Sequence, residues 1–299
     1  MIGAPAYEVR DVTFHYAHRM EERQRNRWEL HEISFDVTAG EILGIIGPNG
    51  SGKTSLLKLM ARLLRPHAGT IRLFGSDVAE MPQDAVARTV AVVPQESQYA
   101  FSYTILQTIL MGRFPHRRSS GLGLFSWEAQ DDLRLAHHAM EELDVAHLAT
   151  RSIHEVSGGE RQRAVIARAL TQEPRVLLLD EPTAFLDLNH QLEICRILRR
   201  LNEHRGLTVV MVSHDLNMAS QYSDRVMLID NGGIVRLGSP DSVLRPDVLA
   251  EVYRCEVIVD RHPDTGLPRI TLPGREKLPA SNVNRVIPSD DRRPNHKER

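Results

Sequence analysis

The sequence predicts an α/β protein built around a parallel β-sheet. Short segments that are apolar at almost every position alternate along the chain with segments whose leucines have helical spacing. Two of the later apolar segments end in acidic or other polar residues. Strands that are apolar on both faces are typical of parallel sheets covered by helices on both sides. A mostly helical stretch, about residues 97–172, interrupts the alternation and predicts an inserted helical subdomain.

The N-terminal part is predicted to be an antiparallel β element. Residues 7–16 and 30–37 combine partial apolar alternation with β-branched side chains, which is typical of strands. The segment between them, residues 17–29, carries charges of both signs and is interpreted as a solvated hairpin loop. These two strands therefore precede the parallel core and lie outside its alternating pattern.

The core elements follow in chain order. Residues 41–47 predict a short strand bounded by glycine, and residues 53–64, which end before Pro66, predict a helix. Further strands are predicted at residues 69–75, at 89–95 with a stop at Pro94, at 175–182 and at 207–214, followed by a hairpin at 225–238 that turns over Asn231–Gly233.

One amphipathic helix is predicted within the helical stretch, at residues 126–145. It begins at a serine cap, and its apolar side chains Leu133, Ala136, Met140 and Leu143 share one face. The neighbouring histidines at positions 137 and 138 are interpreted as helix surface, because the histidines of this chain form no cluster with metal-ligand spacing.

Composition limits the class of protein. Of the 299 residues, 41% are hydrophobic and 25% are charged, which is ordinary for a globular protein with a substantial core. The net charge of −2 gives no support for a nucleic-acid coat. The sequence contains no run of 18 apolar residues, which predicts no membrane span, and "MIGAPAYEVRD" lacks the apolar core of a signal peptide.

The cysteines and the C-terminal residues complete this outline. Cys195 and Cys255 are 60 positions apart without paired metal spacing, so each is predicted to be a buried thiol in a reducing compartment. Residues 273–299 are rich in charge and proline and poor in large apolar groups. They are predicted to form a disordered tail.

Residues Gly47–Thr54, "GPNGSGKT", match the G-x-x-x-x-G-K-[ST] pattern, between a strand and a helix as that pattern requires. Backbone N–H groups of such a loop surround phosphate oxygens, and the helix N-terminus adds a favourable dipole. Lys53 is expected at the β- and γ-phosphates and Thr54 on Mg²⁺. The predicted nucleotide-binding residues are Gly47, Pro48, Asn49, Gly50, Ser51, Gly52, Lys53, Thr54 and Ser55.

Two carboxylates follow a fully apolar strand. Asp180 ends "VLLLD" and Glu181 comes next, at the carboxyl edge where parallel sheets place their ligand sites. Asp180 is predicted to hold Mg²⁺ through water, and Glu181 is predicted to act as general base on an attacking water. In isolation a pair of solvated carboxylates would be the preferred interpretation, but the phosphate loop favours the catalytic one.

Residues 156–170, "VSGGERQRAVIARAL", predict a helix with two glycines in its first turn. Ser157 and Glu160 form a capping box, and in that interpretation Gly158 and Gly159 only fill positions. Alternatively, their bare amides approach an anion closely. Because the phosphate loop already binds one nucleotide, this second anion site would serve the nucleotide of a second copy, in a head-to-tail dimer with two composite sites.

These motifs, in this order, resemble the ATPase subunit of an ATP-binding cassette (ABC) transporter over about residues 7–255, which implies the P-loop NTPase fold of that family. The resemblance matches Tyr16 to the aromatic that stacks on adenine and Gln95 to the glutamine that touches Mg²⁺ and senses a membrane partner. It matches Asp187, which ends "AFLD", to the D-loop aspartate, and His214 to the switch histidine at the γ-phosphate. "VSGGE" keeps the Ser-Gly-Gly core of a signature that usually begins with Leu and ends with Gln.

The resemblance assigns roles to a defined set of residues. The implied catalytic residues are Glu181, His214 and Gln95, the implied Mg²⁺ ligands are Thr54, Gln95 and Asp180, and the residues implied to act on the partner's ATP are Ser157, Gly158, Gly159, Glu160 and Asp187. The implied partners are a second copy, a polytopic membrane permease and, indirectly, a substrate-binding protein, with no nucleic acid. The chain is expected at the cytoplasmic face of the membrane, with residues 1–272 as the ATPase domain.

Three segments, Met111–His116, Thr183–Gln191 and Val257–Ile270, resemble the bacterial importer branch that takes up iron(III)-siderophores, cobalamin or haem. Uptake of iron(III)-siderophore-type substrates is the expected function, and cobalamin or haem import is the alternative. The basic segment "GRFPHRRSS" is expected on a surface that serves a partner helix, with a solvated loop as the alternative. The single phosphate loop and the lack of cysteine clusters disfavour a soluble ABC ATPase of DNA repair or translation. Glu181 and His214 disfavour a module that binds ATP without hydrolysing it.

Overall fold

A computed structural model describes residues 5–16, 29–95, 101–116 and 130–273, with only the backbone of Glu29 included. The predicted charged loop at 17–28, the predicted serine cap at residue 126 and the predicted tail from residue 274 lie outside the described residues. None of the helices within the described ranges is both long enough and apolar enough to cross a membrane.

The strands are β1 (Pro5–His15), β2 (Glu29–Thr38), β3 (Ile42–Ile46), β4 (Ala68–Leu73), β5 (Ser76–Asp77), β6 (Val90–Val93), β7 (Val176–Asp180), β8 (Thr208–Val212), β9 (Arg225–Asp230), β10 (Gly233–Gly238), β11 (Ile258–Arg261) and β12 (Pro268–Thr271). The helices are α1 (Lys53–Met60), α2 (Gln83–Thr89), α3 (Ile105–Leu110), α4 (Gln130–Glu142), α5 (Gly158–Leu170), α6 (Leu188–Arg205), α7 (Leu216–Tyr222), α8 (Pro240–Val243) and α9 (Pro246–Tyr253), with 3-10 helices at Met111–His116 and Ala146–Leu148.

The predicted parallel core is a six-stranded sheet in the order β10-β9-β3-β8-β7-β6, parallel except for the β9–β10 hairpin. Every residue of β3, β7 and β8 is buried, as their continuous apolar sequences predict. Alternate side chains of these strands contact different layers: Leu43 and Ile45 pack with α1 and the N-terminal strands, whereas Ile42 packs with the helical region. The sheet is therefore covered on both faces.

The N-terminal antiparallel part is also confirmed. It is a four-stranded sheet in the order β2-β1-β4-β5, so that the two predicted strands pair directly. The apolar side chains of β1 and β2 share one core with α1 and with one face of the parallel sheet. Tyr7, fully buried in β1, donates a hydrogen bond to the carbonyl of Met60 at 2.9 Å and thereby fastens this sheet to the end of α1.

Between β6 and β7, the residues that the structure describes form the helical region, with α3, α4, α5 and two 3-10 helices. On α4, Ala136 and Met140 are buried, as is Leu143 just after the helix, whereas His137 and His138 are exposed, which agrees with the predicted faces. Within this region α5 contacts both α3 and α4, and it also contacts β6 of the parallel sheet. The helical region is thus joined directly to the core.

The expectation that "GRFPHRRSS" presents its basic side chains to a partner is wrong for Arg113, and residues 117–120 of this segment lie outside the described residues. This side chain is buried, and its guanidinium donates to Asp132 Oδ1 at 2.8 Å, to the Thr171 carbonyl at 2.7 Å and to Glu173 Oε2 at 2.8 Å. A buried guanidinium requires such partners, and it joins the first 3-10 helix to α4 and to the end of α5. Phe114, the next residue, is 52% exposed.

Two further expectations are corrected. The helix predicted to reach residue 64 ends at Met60, because Arg62 turns into the left-handed region with φ 56° and the Leu63 N–H bonds back to the Lys58 carbonyl at 2.8 Å. Cys195 is buried as predicted, but Cys255 is exposed, because it follows Arg254, where the chain leaves α9 through a left-handed residue with φ 54°.

Sequence patterns did not predict the hairpin of β11 and β12, which lies against α7. The Ser220 hydroxyl donates to the Pro268 carbonyl at 2.6 Å, and the Asn217 side chain bonds to both the N–H and the carbonyl of Ile270. The hairpin therefore supports the helix that follows β8.

Candidate functional site

The loop between β3 and α1 is shaped for close approach to a ligand. Gly47 has φ 151°, and a Cβ there would lie 2.0 Å from the carbonyl oxygen of Ile229 at the end of β9, so only glycine fits. Gly52 is the left-handed N-cap residue of α1, with φ 111° and no side-chain cap on the helix N–H groups. The first turn of α1 thus presents backbone amides without a side-chain cap, of the kind that bind phosphate.

Lys53 is bent over its own loop. Its side chain is buried, and Nζ donates to the carbonyls of Gly47 at 2.9 Å and Pro48 at 2.8 Å. Burial lowers the pKa of Lys53, while the nearby carboxylates of Glu181 and Asp180 raise it in part. A polyphosphate would add negative charge at this position and favour the protonated ammonium.

Thr54, in the first turn of α1, contacts Asp180, the last residue of β7. The Thr54 hydroxyl donates to Asp180 Oδ1 at 3.1 Å, although the two residues are 126 positions apart. Burial raises the pKa of Asp180, and this hydrogen bond lowers it in part. A hydroxyl and a carboxylate in contact beside a phosphate loop fit Mg²⁺, which takes oxygen ligands and is usually held by one or two carboxylates together with substrate phosphates.

Glu181 is held between two side chains at the carboxyl edge of the sheet. Gln95, after β6, donates from Nε2 to Glu181 Oε2 at 2.8 Å. His214, after β8, contacts the other oxygen, Oε1, through Nε2. Glu181 itself has φ 50°, in the left-handed region that a non-glycine residue seldom adopts. Three strands in sheet order therefore deliver the three predicted catalytic residues to one place.

The predicted adenine platform lies beside the same loop. Tyr16 is 40% exposed, packs edge-on against Phe14 with ring centroids 4.9 Å apart, and shares a 3.2 Å hydrogen bond with the hydroxyl of Ser55. The contact with Ser55 places this tyrosine at the first helix turn after the phosphate loop. Stacking on adenine stays a prediction.

Sequence reasoning missed Tyr253 at the end of α9. Burial raises its pKa to about 12, and a hydrogen bond with the backbone of Gly47 acts in the opposite direction. The phenol therefore lies close to the start of the phosphate loop, although it belongs to a helix about 200 positions later in the chain. No local motif marks it; only the apolar character of α9 indicates that this helix packs inward.

The residues predicted to act on a partner's nucleotide have local partners within this chain. Ser157 and Glu160 form the predicted capping box on α5, with the Ser157 N–H donating to Glu160 Oε2 at 2.8 Å. This bond is the main cause of a lowered pKa at Glu160. Asp187 caps α6 by accepting the N–H of His190 at 3.0 Å. Ser157, Gly158 and Asp187 are all exposed.

Comparison with known proteins decides the family. A family profile described as ABC transporter matches residues 30–184. The hemin import ATP-binding protein HmuV of Gloeobacter violaceus is 42% identical over 255 residues, which cover 83% of this chain and 90% of that protein. The chain belongs to the ABC transporter family. Its P-loop NTPase fold binds nucleotide, and its activity is ATP hydrolysis coupled to transport.

Further similarities agree with this family. The iron(3+)-hydroxamate import ATP-binding protein FhuC of Bacillus subtilis is 38% identical over 239 residues, which cover 80% of the chain and 87% of that protein. Among solved structures, an inward-facing ABC transporter described as metal-chelate type matches with a TM-score of 0.75 at 27% identity, over 89% of this chain and 97% of that one. These are the proteins that this ABC transporter chain is similar to.

Proposed function

We propose that this chain is the ATP-hydrolysing subunit of a bacterial ABC importer that takes up iron(III)-siderophore-type substrates. Two copies would bind two ATP molecules in composite sites and act on a polytopic permease from the cytoplasmic face of the membrane, with a substrate-binding protein delivering the cargo. Residues 1–272 would form the nucleotide-binding domain, and 97–172 its helical subdomain. The observation that carries the enzymatic part is the convergence of Gln95, Glu181 and His214 beside the phosphate loop.

The phosphate loop would bind the triphosphate through its backbone N–H groups. Lys53 would exchange its two loop carbonyls for β- and γ-phosphate oxygens, which are stronger acceptors because they are charged. The reach of Nζ to Gly47 and Pro48 shows that the ammonium already lies over the loop. This exchange would stabilise charge on the transferring phosphoryl group.

Glu181 would accept the proton of the attacking water. In the present arrangement His214 contacts Oε1 and Gln95 donates to Oε2, so the two neighbours fix the carboxylate plane at the edge of the sheet. Thr54, Asp180 and Gln95 would hold Mg²⁺, which when bound neutralises phosphate charge. Because the proton acceptor is already oriented, little reorganisation would precede the transfer.

A second copy would complete the site. Ser157 and Gly158 at the start of α5 are exposed, and so is the segment around Asp187, where Phe185 is 87% exposed and Leu188 is 66% exposed. Phe185 and Leu188 are close together in this segment, and such an exposed apolar pair fits contact with another protein surface. Two copies related by a two-fold axis would therefore cover these residues and bring each α5 N-terminus to the other's phosphate loop.

The importer and cargo assignments rest on similarity. The relatives named above are import ATP-binding proteins for hemin and iron(3+)-hydroxamate, and the matching structure is described as one of metal-chelate type. In each of these cargoes an organic molecule chelates a metal ion, which supports a metal-chelate cargo here. Haem or cobalamin is the alternative within the same class.

Uptake in a strain that lacks this chain tests the proposal. Uptake of radiolabelled iron(III)-hydroxamate, hemin and cobalamin would be measured after complementation with the wild type, with Glu181→Gln and with Glu80→Gln, an exposed glutamate used as matched control. We expect the wild type and Glu80→Gln to restore siderophore uptake and Glu181→Gln to fail. If the wild type restores only hemin or only cobalamin uptake, that molecule replaces the siderophore as the assigned cargo. If the strain that lacks this chain takes up all three substrates normally, the importer assignment is refuted.

A further inference from the structure

The first turns of α5 and α6 meet at one tight contact. A Cβ added to Gly159 would lie 2.5 Å from Cγ, 2.6 Å from Cδ2 and 2.7 Å from Nδ1 of His190. Carbon atoms that are not bonded do not approach this closely, so the imidazole occupies the space that any side chain at position 159 would need. Gly159 is buried in this contact, in contrast to the exposed Gly158.

A second contact lies one helical turn along α5. Arg163 Nη1 donates to Glu193 Oε2 at 2.5 Å, and the same oxygen lies 3.4 Å from His190 Nδ1. The Arg163 side chain is only 7% exposed, so solvent screens this pair weakly. Positions four apart share a helix face, and both contacts therefore join the same face of α5 to the start of α6.

The contact continues into the loop before α6. Asp187 Oδ1 accepts the backbone N–H of His190 at 3.0 Å, and Oδ2 lies 3.9 Å from His190 Nε2. The residue whose ring packs on Gly159 therefore also carries the amide that holds Asp187. One histidine links the two segments that are proposed to act on the partner's nucleotide.

We infer that His190 is a positioning residue of the composite ATP site. It fixes the N-terminus of α5 relative to Asp187, so that one protomer presents both segments to its partner's nucleotide as a single rigid unit. This inference rests on the proposed function, because a composite site requires the second copy.

The two positions of "VSGGE" at 158 and 159 are then occupied by glycine for different reasons. Gly159 lacks a side chain because His190 packs against its backbone. At Gly158, a Cβ would lie 3.4 Å from Leu186 Cδ2, an ordinary contact, so packing within the chain does not demand glycine there. The exposed Gly158 is the one left to approach a phosphate.

A mutant cycle on the purified full-length chain tests the contact. Gly159→Ala, His190→Ala and the double variant would be compared for kcat and KM with ATP and Mg²⁺ and for ATP affinity at low protein concentration. ATP-dependent dimerisation would be measured in a Glu181→Gln background. We expect Gly159→Ala to lower kcat at least tenfold while ATP affinity stays within about twofold, because the phosphate loop is unchanged. The double variant should regain the kcat of His190→Ala, a coupling of about 1.4 kcal/mol for each factor of ten.

Two further variants make the test specific. Gly158→Ala is the matched control, and adding His190→Ala to it should restore nothing. His190→Phe keeps a ring on Gly159 and should retain kcat within about threefold, whereas His190→Ala should lose more. Equal losses of kcat in His190→Phe and His190→Ala would overturn the role assigned to the packing of this ring on Gly159.

The remaining outcomes separate the inference from the proposed function. If His190→Ala fails to relieve Gly159→Ala while ATP binding stays normal, Gly159 acts directly on the anion and the inference is wrong. If Gly159→Ala and His190→Ala lower both the ATP affinity and the unfolding temperature, the contact is purely structural and the inference is again wrong. If the wild type itself neither binds ATP nor dimerises with it, the proposed function fails, and the inference fails with it.

Discussion

Replacement of Glu181 by Gln separates chemistry from structure at this site. Glutamine has nearly the volume of glutamate, and its amide oxygen can still accept the hydrogen bond that Gln95 donates to Oε2. Its amide NH₂ can face His214 where Oε1 now lies, with the imidazole accepting. Both contacts can survive, so we expect the free energy of unfolding to change by less than about 1 kcal/mol.

The expected loss is in the proton transfer. An amide does not accept a proton at neutral pH, and a positioned general base contributes about 10²–10⁴-fold to rate. This corresponds to roughly 2.7–5.4 kcal/mol of transition-state stabilisation. The phosphate loop and Lys53 are untouched, so ATP affinity should stay within a few-fold of the wild type.

The assay is Mg²⁺-dependent phosphate release, with ATP affinity and ATP-dependent dimerisation measured on the same preparation. Glu80→Gln makes the same chemical change at an exposed position and should behave as the wild type. Turnover within about threefold of the wild type would refute the role of Glu181 as base. Loss of turnover together with ATP affinity would instead assign Glu181 to the architecture of the loop.

The remaining predictions concern binding, charge, packing and thiols. Lys53→Ala removes the ammonium from the loop and should weaken ATP binding at least about tenfold; unchanged affinity in equilibrium titration would contradict its phosphate role. Burial raises the pKa of Asp180 above its unfolded value, so ionisation of this carboxyl opposes folding. Asp180→Asn should therefore raise the unfolding temperature of the nucleotide-free chain at pH 7 and abolish Mg²⁺-dependent turnover. The stability gain should shrink as pH falls from the raised folded-state pKa towards about 3.9, below which the wild-type carboxyl is protonated in both states. Tyr7→Phe leaves a buried carbonyl unpaired and should cost about 1–3 kcal/mol in urea denaturation, and no measurable loss would contradict that bond. Cys255 should react with a thiol reagent in the native protein and Cys195 only on unfolding, because burial raises the pKa of its thiol to about 12; two rapidly reacting thiols would contradict this.

Much of the fold could be predicted because its signals are local. Continuous apolar segments predicted β3, β7 and β8, and each is buried at every position. The prediction was weaker where an element ends or where a loop turns back. The left-handed turn at Arg62 shortened α1, and a similar turn at Arg254 exposed the cysteine that follows.

The charge of a sequence segment was the least reliable predictor of whether its side chains are exposed. Arg113 lies in a segment whose composition indicates a basic surface, yet its guanidinium is buried among Asp132, Thr171 and Glu173. These partners come from the start of α4 and from the turn after α5, so no window around the arginine contains them. Long-range pairing, which the tertiary structure alone supplies, reversed the expectation.

By itself, the sequence determined the chemistry carried by contiguous residues: the phosphate loop at Gly47–Thr54 and the capping box at Ser157 act over a few positions and can be read from them. Only the tertiary structure decided which distant residues meet. It placed Gln95 on Glu181, 86 positions away, and set the ring of His190 against Gly159. The reason is physical: a motif fixes its own backbone, whereas contacts between elements depend on strand order and helix packing, which no local pattern records.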